Sequence, residues 1–439
     1  MEEIYERVRE GIAALREYEE SGLWLQDYEA DERGELPRDL KRGVLSQDGL
    51  DEVFKEAKEF PSLPRRYPVI TLCGSTRFSK QFLAAILAGI ALMGCTQPLH
   101  LLVGTYTENT AAEGVYLYSY DPKTADTQLL DVAPSGNPSF VIVSPDKASA
   151  YAVNEFNDGR QGVSSFSLSG ESIRLLNSVP IPSEQVPGED PCNILLTGNT
   201  VLTSNYTGGS VTAFPVNDDG SLGGMSQSYV IHDGAEPAHM HCAVKSPDGK
   251  YIFVTNLGND CIHRFAKREG SQPLGTCETA WENQDSVPYG PRHMVFSADG
   301  RFAYLLCELG DKLVVFSYQD GLLTPIQTLT AYDGDGHGSA DIHLSPDGRY
   351  LYTSHRLKGD GIAIFAVDPA SGMVEKRGFQ PTGRHPRNFA ISPDGRYLLC
   401  ACRDDNVIEI YSIDKGTDAL TPTGKNISVG APVCVQIIR

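Results

Sequence analysis

From residue 141 onward one short pattern keeps returning: an apolar run, then Ser-Pro-Asp-Gly or a near variant, then an aromatic-rich run. It reads Val141-Ile-Val-Ser-Pro-Asp146, Ala243-Val-Lys-Ser-Pro-Asp-Gly249, Met294-Val-Phe-Ser-Ala-Asp-Gly300, Ile342-His-Leu-Ser-Pro-Asp-Gly348 and Phe389-Ala-Ile-Ser-Pro-Asp-Gly395. A degenerate copy is Asn193-Ile-Leu-Leu-Thr-Gly-Asn199. The turns start at 144, 197, 246, 297, 345 and 392, so the intervals are 53, 49, 51, 48 and 47 residues. Pro presets φ, Asp caps its own backbone and Gly accepts φ > 0, so each copy is a turn between two strands. Further strand-like runs follow, such as Val314-Val-Phe-Ser-Tyr318 and Gly361-Ile-Ala-Ile-Phe-Ala-Val367. Four strands in roughly 50 residues make a propeller blade, whereas a parallel β-helix needs much shorter repeats.

The count predicts an all-β fold, a seven-bladed β-propeller. Six blades carry a visible turn. Leu101-Leu-Val-Gly-Thr-Tyr-Thr107 reads as the second strand of a blade, and Ala431-Pro-Val-Cys-Val-Gln-Ile-Ile438 as a first strand with no turn after it. Paired, they form the seventh blade from both ends of the domain and leave no open edge.

With each turn numbered from its Ser as zero, and the hairpin taken as symmetric about +3, position −5 faces +11 near one mouth of the propeller. At −5 stand Ser139, His241, Arg292, Ala340 and Arg387; at +11 stand Glu155, Leu257, Glu308, Arg356 and Arg403. His239 lies on the same strand face as His241, Asn256 is at +10 with Asn205 as its counterpart, and Asp341 is at −4. Innermost strands line the channel, so their ends converge on one polar pocket. Single polar residues at a mouth often only hydrate a channel. The Arg, His and Glu of adjacent blades together mark a site. His232, His263 and the Gly334-Asp-Gly-His-Gly338 run are weaker marks.

These residues carry a resemblance. Val103-Gly-Thr-Tyr106, Ala238-His-Met-His241, Gly290-Pro-Arg-His-Met-Val-Phe296 through Cys307-Glu-Leu309, Ala340-Asp-Ile-His-Leu-Ser-Pro-Asp-Gly348 and His385-Pro-Arg-Asn-Phe-Ala-Ile-Ser-Pro-Asp-Gly395 resemble the seven-bladed lactonase family over residues 100–439. That family includes bacterial 6-phosphogluconolactonase and the fungal 3-carboxy-cis,cis-muconate lactonizing enzyme. The resemblance implies a site of one His, two Arg and one Glu, with no metal and no other cofactor. Arg292 and Glu308 match its first Arg and its Glu. His241 is the first candidate for the His, with His239 as the alternative; Arg356 is the second Arg, with Arg387 as the alternative. Lactone opening needs a base for water, a partner for the oxyanion and an acid for the leaving alkoxide. Glu308 and His241 are therefore the expected catalytic pair, either one as base. Arg292, Arg356, Arg387, His239 and Asn256 are expected to bind an anionic small-molecule lactone. The implied reaction is hydrolysis of 6-phospho-D-glucono-1,5-lactone to 6-phospho-D-gluconate in the pentose phosphate pathway. The alternatives are muconate-type cyclisation on the same residues and a non-catalytic binding propeller on the cell envelope.

The first 95 residues are of another kind. Residues 1–60 hold 18 acids and 9 bases, and Ile4, Val8, Ile12 and Leu15 recur at helical spacing, so a small helical appendage is expected there. Its Asp27–Ser46 stretch resembles a bacterial domain of unknown function. Residues 61–95 read as a strand fragment followed by an apolar segment. Tyr67–Phe78 resembles the opening strand and loop of nucleoside deoxyribosyltransferase-like enzymes but lacks the βα context of a nucleotide site. Phe82–Met93 is too short to span a bilayer and suits a signal h-region, and Leu92-Met-Gly-Cys95 resembles a lipobox. Set so far into the chain, these pieces read as a chimera joined to the propeller of residues 96–439. A cytoplasmic location is the expectation, with a membrane anchor only if Cys95 is lipidated, and a monomer or weak homo-oligomer. The ten cysteines form no CxxC pair, so zinc is disfavoured and buried free thiols are expected. A net charge of −20 argues against a nucleic-acid partner and requires that any anionic ligand be held by a local basic site.

Overall fold

Val, Ile, Phe, Tyr and Leu fill the runs on either side of each turn, and in the computed structural model these runs are strands. It describes residues 99–231, 237–334 and 337–438. The helical reading of residues 1–60, the strand fragment and lipobox of 61–95, His232, Asp335 and Gly336 lie outside the described residues. The strands form seven antiparallel sheets, six of four strands and one of five.

Blades 1 to 6 follow in chain order, with innermost strands Val141–Val143, Pro191–Thr197, Met240–Lys245, Pro291–Phe296, Ser339–Leu344 and Pro386–Ile391. In blade 7 the innermost strand is Pro432–Ile438, and it pairs with Leu99–Thr105 from the other end of the domain. That pairing runs from His100↔Ile438 to Thr105↔Pro432, as the two unpaired runs in the sequence require. The innermost strands touch their neighbours in a closed cycle, blade 7 reaching both blade 6 and blade 1.

The turns work as their chemistry dictates. In five of them the Ser hydroxyl donates to the Asp carboxylate two residues on, at 2.5–2.7 Å, and accepts the N–H five residues on in return. The Gly after Asp has φ near +70° at Gly249, Gly300 and Gly348, the left-handed region that costs Gly least. The degenerate copy closes differently: Thr197 pairs directly with Thr200 across Gly198-Asn199.

Adjacent blades pack face to face. Phe302, Tyr304, Leu306 and Val315 of blade 4 meet Ile342, Leu351, Ala363 and Phe365 of blade 5 in one buried cluster. Burying each such side chain stabilises by roughly 1.5–3 kcal/mol, so every blade depends on both neighbours. All eight cysteines among the described residues are free thiols, and all but Cys277 are buried.

Candidate active site

Two rings of residues build the mouth, and a β-bulge explains both. In blade 4 Pro291 pairs with Cys307 and His293 with Leu306, which leaves Arg292 as the unpaired extra residue. The same skip occurs at Cys192, His241, Arg387 and Val433, and blade 5 skips Ala340 together with Asp341. A bulged residue is turned out of the ladder, so position −5 is re-aimed towards the channel.

The second ring consists of the residue that follows each second strand: Tyr106, Glu155, Tyr206, Leu257, Glu308, Arg356 and Arg403. In the six bulged blades its N–H donates to the carbonyl two residues before the bulge, as from Glu308 to Gly290 and from Tyr106 to Ala431, and in blade 1 the Glu155 N–H donates to the equivalent Asn137 carbonyl. The bulge therefore corrects the expected pairing: +11 faces −7, not −5. The short hairpin of blade 2 also shifts its numbering by two, so Tyr206 stands where Gly208 would be counted.

Glu308 is the centre. Its Oε2 accepts from Arg292 Nε at 2.9 Å and its Oε1 from Arg356 Nη2 at 2.7 Å. Arg292 Nη1 also donates to the Ala340 carbonyl at 2.5 Å, and Arg356 Nε to the Gly338 carbonyl at 3.1 Å. Both arginines are buried, while the Glu308 side chain stays 20% exposed at the mouth. Burial pushes the Glu308 carboxyl up, but Arg356, Arg292 and Arg387 outweigh it and hold the group below the ordinary range. Burial and the neighbouring Arg292 bring Arg356 down to about 9, still protonated at neutral pH.

A second charged group faces the first. Glu155 lies 3.5 Å from Arg387 and accepts from Tyr106 Oη at 2.7 Å and from Ser139 Oγ. Arg387 stacks over the Tyr106 ring at 5.5 Å. Its side chain is 15% exposed against 5% for Arg356, so Arg387 is the more open of the two cations. Three arginines against two carboxylates leave this mouth locally positive in an acidic chain. A cleft of about 400 Å³ adjoins the ring, lined by Tyr106, Glu108, Asn137, Arg403, Asp404 and Asn406 among others.

His241 sits edge-on to Tyr206, ring centroids 5.7 Å apart. Burial first, then Arg292, His293, Arg387 and Arg356, push its imidazole well below the ordinary value, so it is neutral at pH 7. His239 stacks on Tyr206 at 4.4 Å and its Nδ1 meets the Tyr206 carbonyl at 2.9 Å. Asn256 is fully buried, and its amide is occupied by the His239 and Asn259 N–H groups, Asn259 Oδ1 and His263 Nε2. Its polar atoms are thus engaged within the protein, where they hold the His239 and Asn259 backbone. Arg403, in the second ring, turns to Asp404 instead of the centre. His337 binds Asp311 at 3.0 Å.

Tyr106, Tyr206 and Glu155 were not among the expected binding residues. Glu155 was already visible at +11. The tyrosines become visible once the strand ends of the degenerate and split blades are aligned with the others. No group of three or more His, Cys, Asp or Glu suited to a metal ion occurs among the described residues. No helix among them is long and apolar enough to cross a membrane.

Residues 100–437 match the family model described as lactonase, 7-bladed beta-propeller. Residues 2–62 match a domain of unknown function (DUF4298). A 6-phosphogluconolactonase of Formosa agariphila is 30% identical, over 77% of this chain and 99% of that protein. Among solved structures, a candidate 6-phosphogluconolactonase from Bacteroides uniformis is 44% identical with a TM-score of 0.74, covering 78% of this chain and all (100%) of that one. A periplasmic gluconolactonase from Pseudomonas aeruginosa is 30% identical with a TM-score of 0.70, covering 78% of this chain and 99% of that one.

Proposed function

Since the chain belongs to the lactonase family of seven-bladed β-propellers, we propose that it is a lactone hydrolase acting on an anionic sugar lactone, 6-phospho-D-glucono-1,5-lactone, at the mouth built around Glu308. The product is 6-phospho-D-gluconate, as in the pentose phosphate pathway. The observation that carries this reading is the local charge: Arg292, Arg356 and Arg387 with Glu308 and Glu155 beside a neutral His241.

Both groups are moved to lower pKa by the arginines, but each Glu308 oxygen already accepts from a guanidinium, whereas a neutral imidazole keeps a lone pair with which to take a proton. The proposed division of labour follows. His241 deprotonates the water that attacks the lactone carbonyl carbon. The C–O bond to the ring oxygen then breaks, and the imidazolium returns its proton to the departing alkoxide. Arg292 and Arg356 stabilise the oxyanion formed at the carbonyl oxygen, because preorganised cations act where charge develops. Glu308 holds both guanidinium planes and keeps two like charges together. Arg387, more open than Arg292 or Arg356, grips the phosphate, with Tyr106 beside it.

A second reading differs only in substrate. The likeness to a periplasmic gluconolactonase supports an unphosphorylated lactone, which would leave Arg387 to meet hydroxyls. Hydrolysis followed by pH-stat on gluconolactone and its 6-phosphate separates the two. A kcat/KM at least 10-fold higher for the phosphorylated substrate supports the first reading. Higher or equal values for the neutral lactone support the second. Binding of both without turnover would leave a non-catalytic binding propeller, and product cyclisation from a muconate would move the chemistry to the lactonizing class.

A further inference from the structure

Below the mouth lies a buried chain of groups that the reaction above does not use. His293 is the residue after the bulged Arg292, and its Nδ1 lies 2.7 Å from Asp341 Oδ1. Asp341 Oδ2 in turn meets His343 Nε2 at 2.9 Å, Asn388 Nδ2 at 2.5 Å and the Phe389 N–H at 3.3 Å. The His241 and His293 rings stand edge to face, centroids 5.1 Å apart. Two ring nitrogens in this pair are fully buried and have no protein partner: His241 Nδ1 and His293 Nε2. Buried polar atoms are as a rule paired, so two unpaired ones on rings in edge-to-face contact ask for a common partner.

The tautomers follow from the carboxylate. Asp341 is an acceptor, since burial opposes its ionisation but His343 and His293 hold it well below the ordinary range. His293 Nδ1 must therefore donate, and neutral His293 presents a lone pair at Nε2. Burial and Arg292 bring His293 down to about 4, so it is neutral at pH 7. A lone pair there favours a proton on His241 Nδ1, which in neutral His241 leaves the lone pair on Nε2. Of the two His241 nitrogens Nδ1 is the one sealed without a partner, which leaves Nε2 to act as the base.

We propose that His293, oriented by Asp341, is a positioning residue that fixes His241 in its Nδ1–H tautomer through one shared water and so places the reactive lone pair at the mouth. A water bonded to both nitrogens satisfies the two buried atoms and transmits the preference. The inference rests on the reading of His241 as the base. The charged and titratable groups around His241 are Arg292, His293, Arg387 and Arg356, with Tyr206 at its ring edge; those around His293 are Arg292, Asp341, His343 and His241.

Asp341→Asn is the informative variant. Three donors converge on Oδ2, so the amide oxygen stays there and its NH₂ turns to His293 Nδ1. His293 must then carry its proton on Nε2, and the preference at His241 reverses. NMR of the full chain with ¹⁵N-labelled histidine rings reads this directly, with His241 assigned by its loss in His241→Gln. The expected result is Nδ1–H in the parent and Nε2–H in Asp341→Asn, with kcat down at least about 100-fold and KM within threefold, because the wrong tautomer blocks the base. If Asp341→Asn fails to fold, His293→Leu decides: His241 must then lose its Nδ1–H preference. An Nε2–H tautomer in the parent, or an unchanged tautomer in a folded variant, overturns the proposal. Should the tautomers behave as stated while no lactone is hydrolysed, the positioning stands and the lactonase reading falls. Should lactones be hydrolysed with the tautomer indifferent to Asp341 and His293, the reverse holds.

Discussion

Glu308 and His241 compete for one role, and their surroundings separate them. The Glu308 carboxylate sits between two arginines and is held ionised, while His241 is buried and neutral. His241→Gln removes the proposed base and should lower kcat by about 10²–10⁴-fold. Glu308→Gln keeps the shape, but its amide oxygen can accept from one arginine while the NH₂ faces the other, so a smaller loss of about 10–100-fold is expected. Steady-state kinetics on the best lactone checks the order; a larger loss in Glu308→Gln would return the base to Glu308. The acid limb of kcat/KM should lie below pH 6.5, the side to which burial and the arginines move His241. Arg387→Ala should raise KM for a phosphorylated lactone far more than for a neutral one, since an open cation grips a ground-state anion. Arg356→Ala, which frees one Glu308 oxygen in a buried site, should instead depress kcat on both. The residue types of this mouth were legible from the repeat, because equivalent positions in successive blades carry them. Their contacts were not, because a period-2 strand pattern cannot reveal a bulge. Without it Arg292 and Glu308 look like cross-strand partners, whereas the bulge swings Arg292 out and leaves their side chains to meet beyond the strand end.

At the scale of strands and turns the sequence was a better guide. Ser-Pro-Asp-Gly names its own conformation, and the closure of blade 7 follows from two strand-like runs that lack hairpin partners. The degenerate turn of blade 2 was harder to place, since Gly198-Asn199 closes a hairpin without the Ser–Asp pair and shifts everything after it. Asp299 shows what the motif contributes: it accepts from Ser297 Oγ and from the backbone and side chain of Arg301, and Ser297 before Arg301 among its partners brings its carboxyl down to about 2. Asp299→Ala should cost about 1–2 kcal/mol by urea denaturation, the usual scale for losing such bonds at a turn. The closing strand matters far more. Val433, Cys434, Val435 and Ile438 are all buried, and deleting 432–439 removes them and opens the edge of Leu99–Thr105. At roughly 1.5–3 kcal/mol for each large apolar side chain, the loss rivals the net stability of a domain. The truncated chain should show no cooperative melting transition and should aggregate through that edge; a soluble variant that still melts cooperatively would mean that the ring tolerates an open blade.

Across the whole molecule, the seven blades close on themselves using residues 99–438 alone, so removing residues 1–96 is expected to leave the melting temperature and lactone turnover unchanged. The ring also buries histidines in a neutral state, and this sets how it responds to acid. His241 and His293 lie at the channel and His355 within blade 5; burial is the leading cause in each, bringing His293 down to about 4 and His355 to about 3, with His241 also well below its ordinary value. Unfolded, all three titrate near 6.5. Between pH 6.5 and those lower values the unfolded chain binds protons that the folded chain refuses, so stability is greatest above 6.5 and falls as the pH drops. Each histidine contributes a slope of up to about 1.4 kcal/mol per pH unit. His343 has the opposite sign, because Asp341 outweighs burial and raises it. Its contribution is complete below 6.5 and is lost only as the pH rises through its folded value, so it stays constant across the acid window. Paired carboxylates such as Glu308 and Asp341 add their own losses only at and below the ordinary carboxylate range. The urea midpoint should therefore fall steadily between pH 6.5 and 5, ahead of the carboxylates, by an amount equivalent to about 1 kcal/mol per pH unit or more. His355→Phe, which removes one neutral imidazole buried within blade 5, should flatten part of that slope. A midpoint constant from pH 7 to 5 would mean that these histidines take up protons in the folded ring, and the neutral base assigned to His241 would have to be abandoned with them.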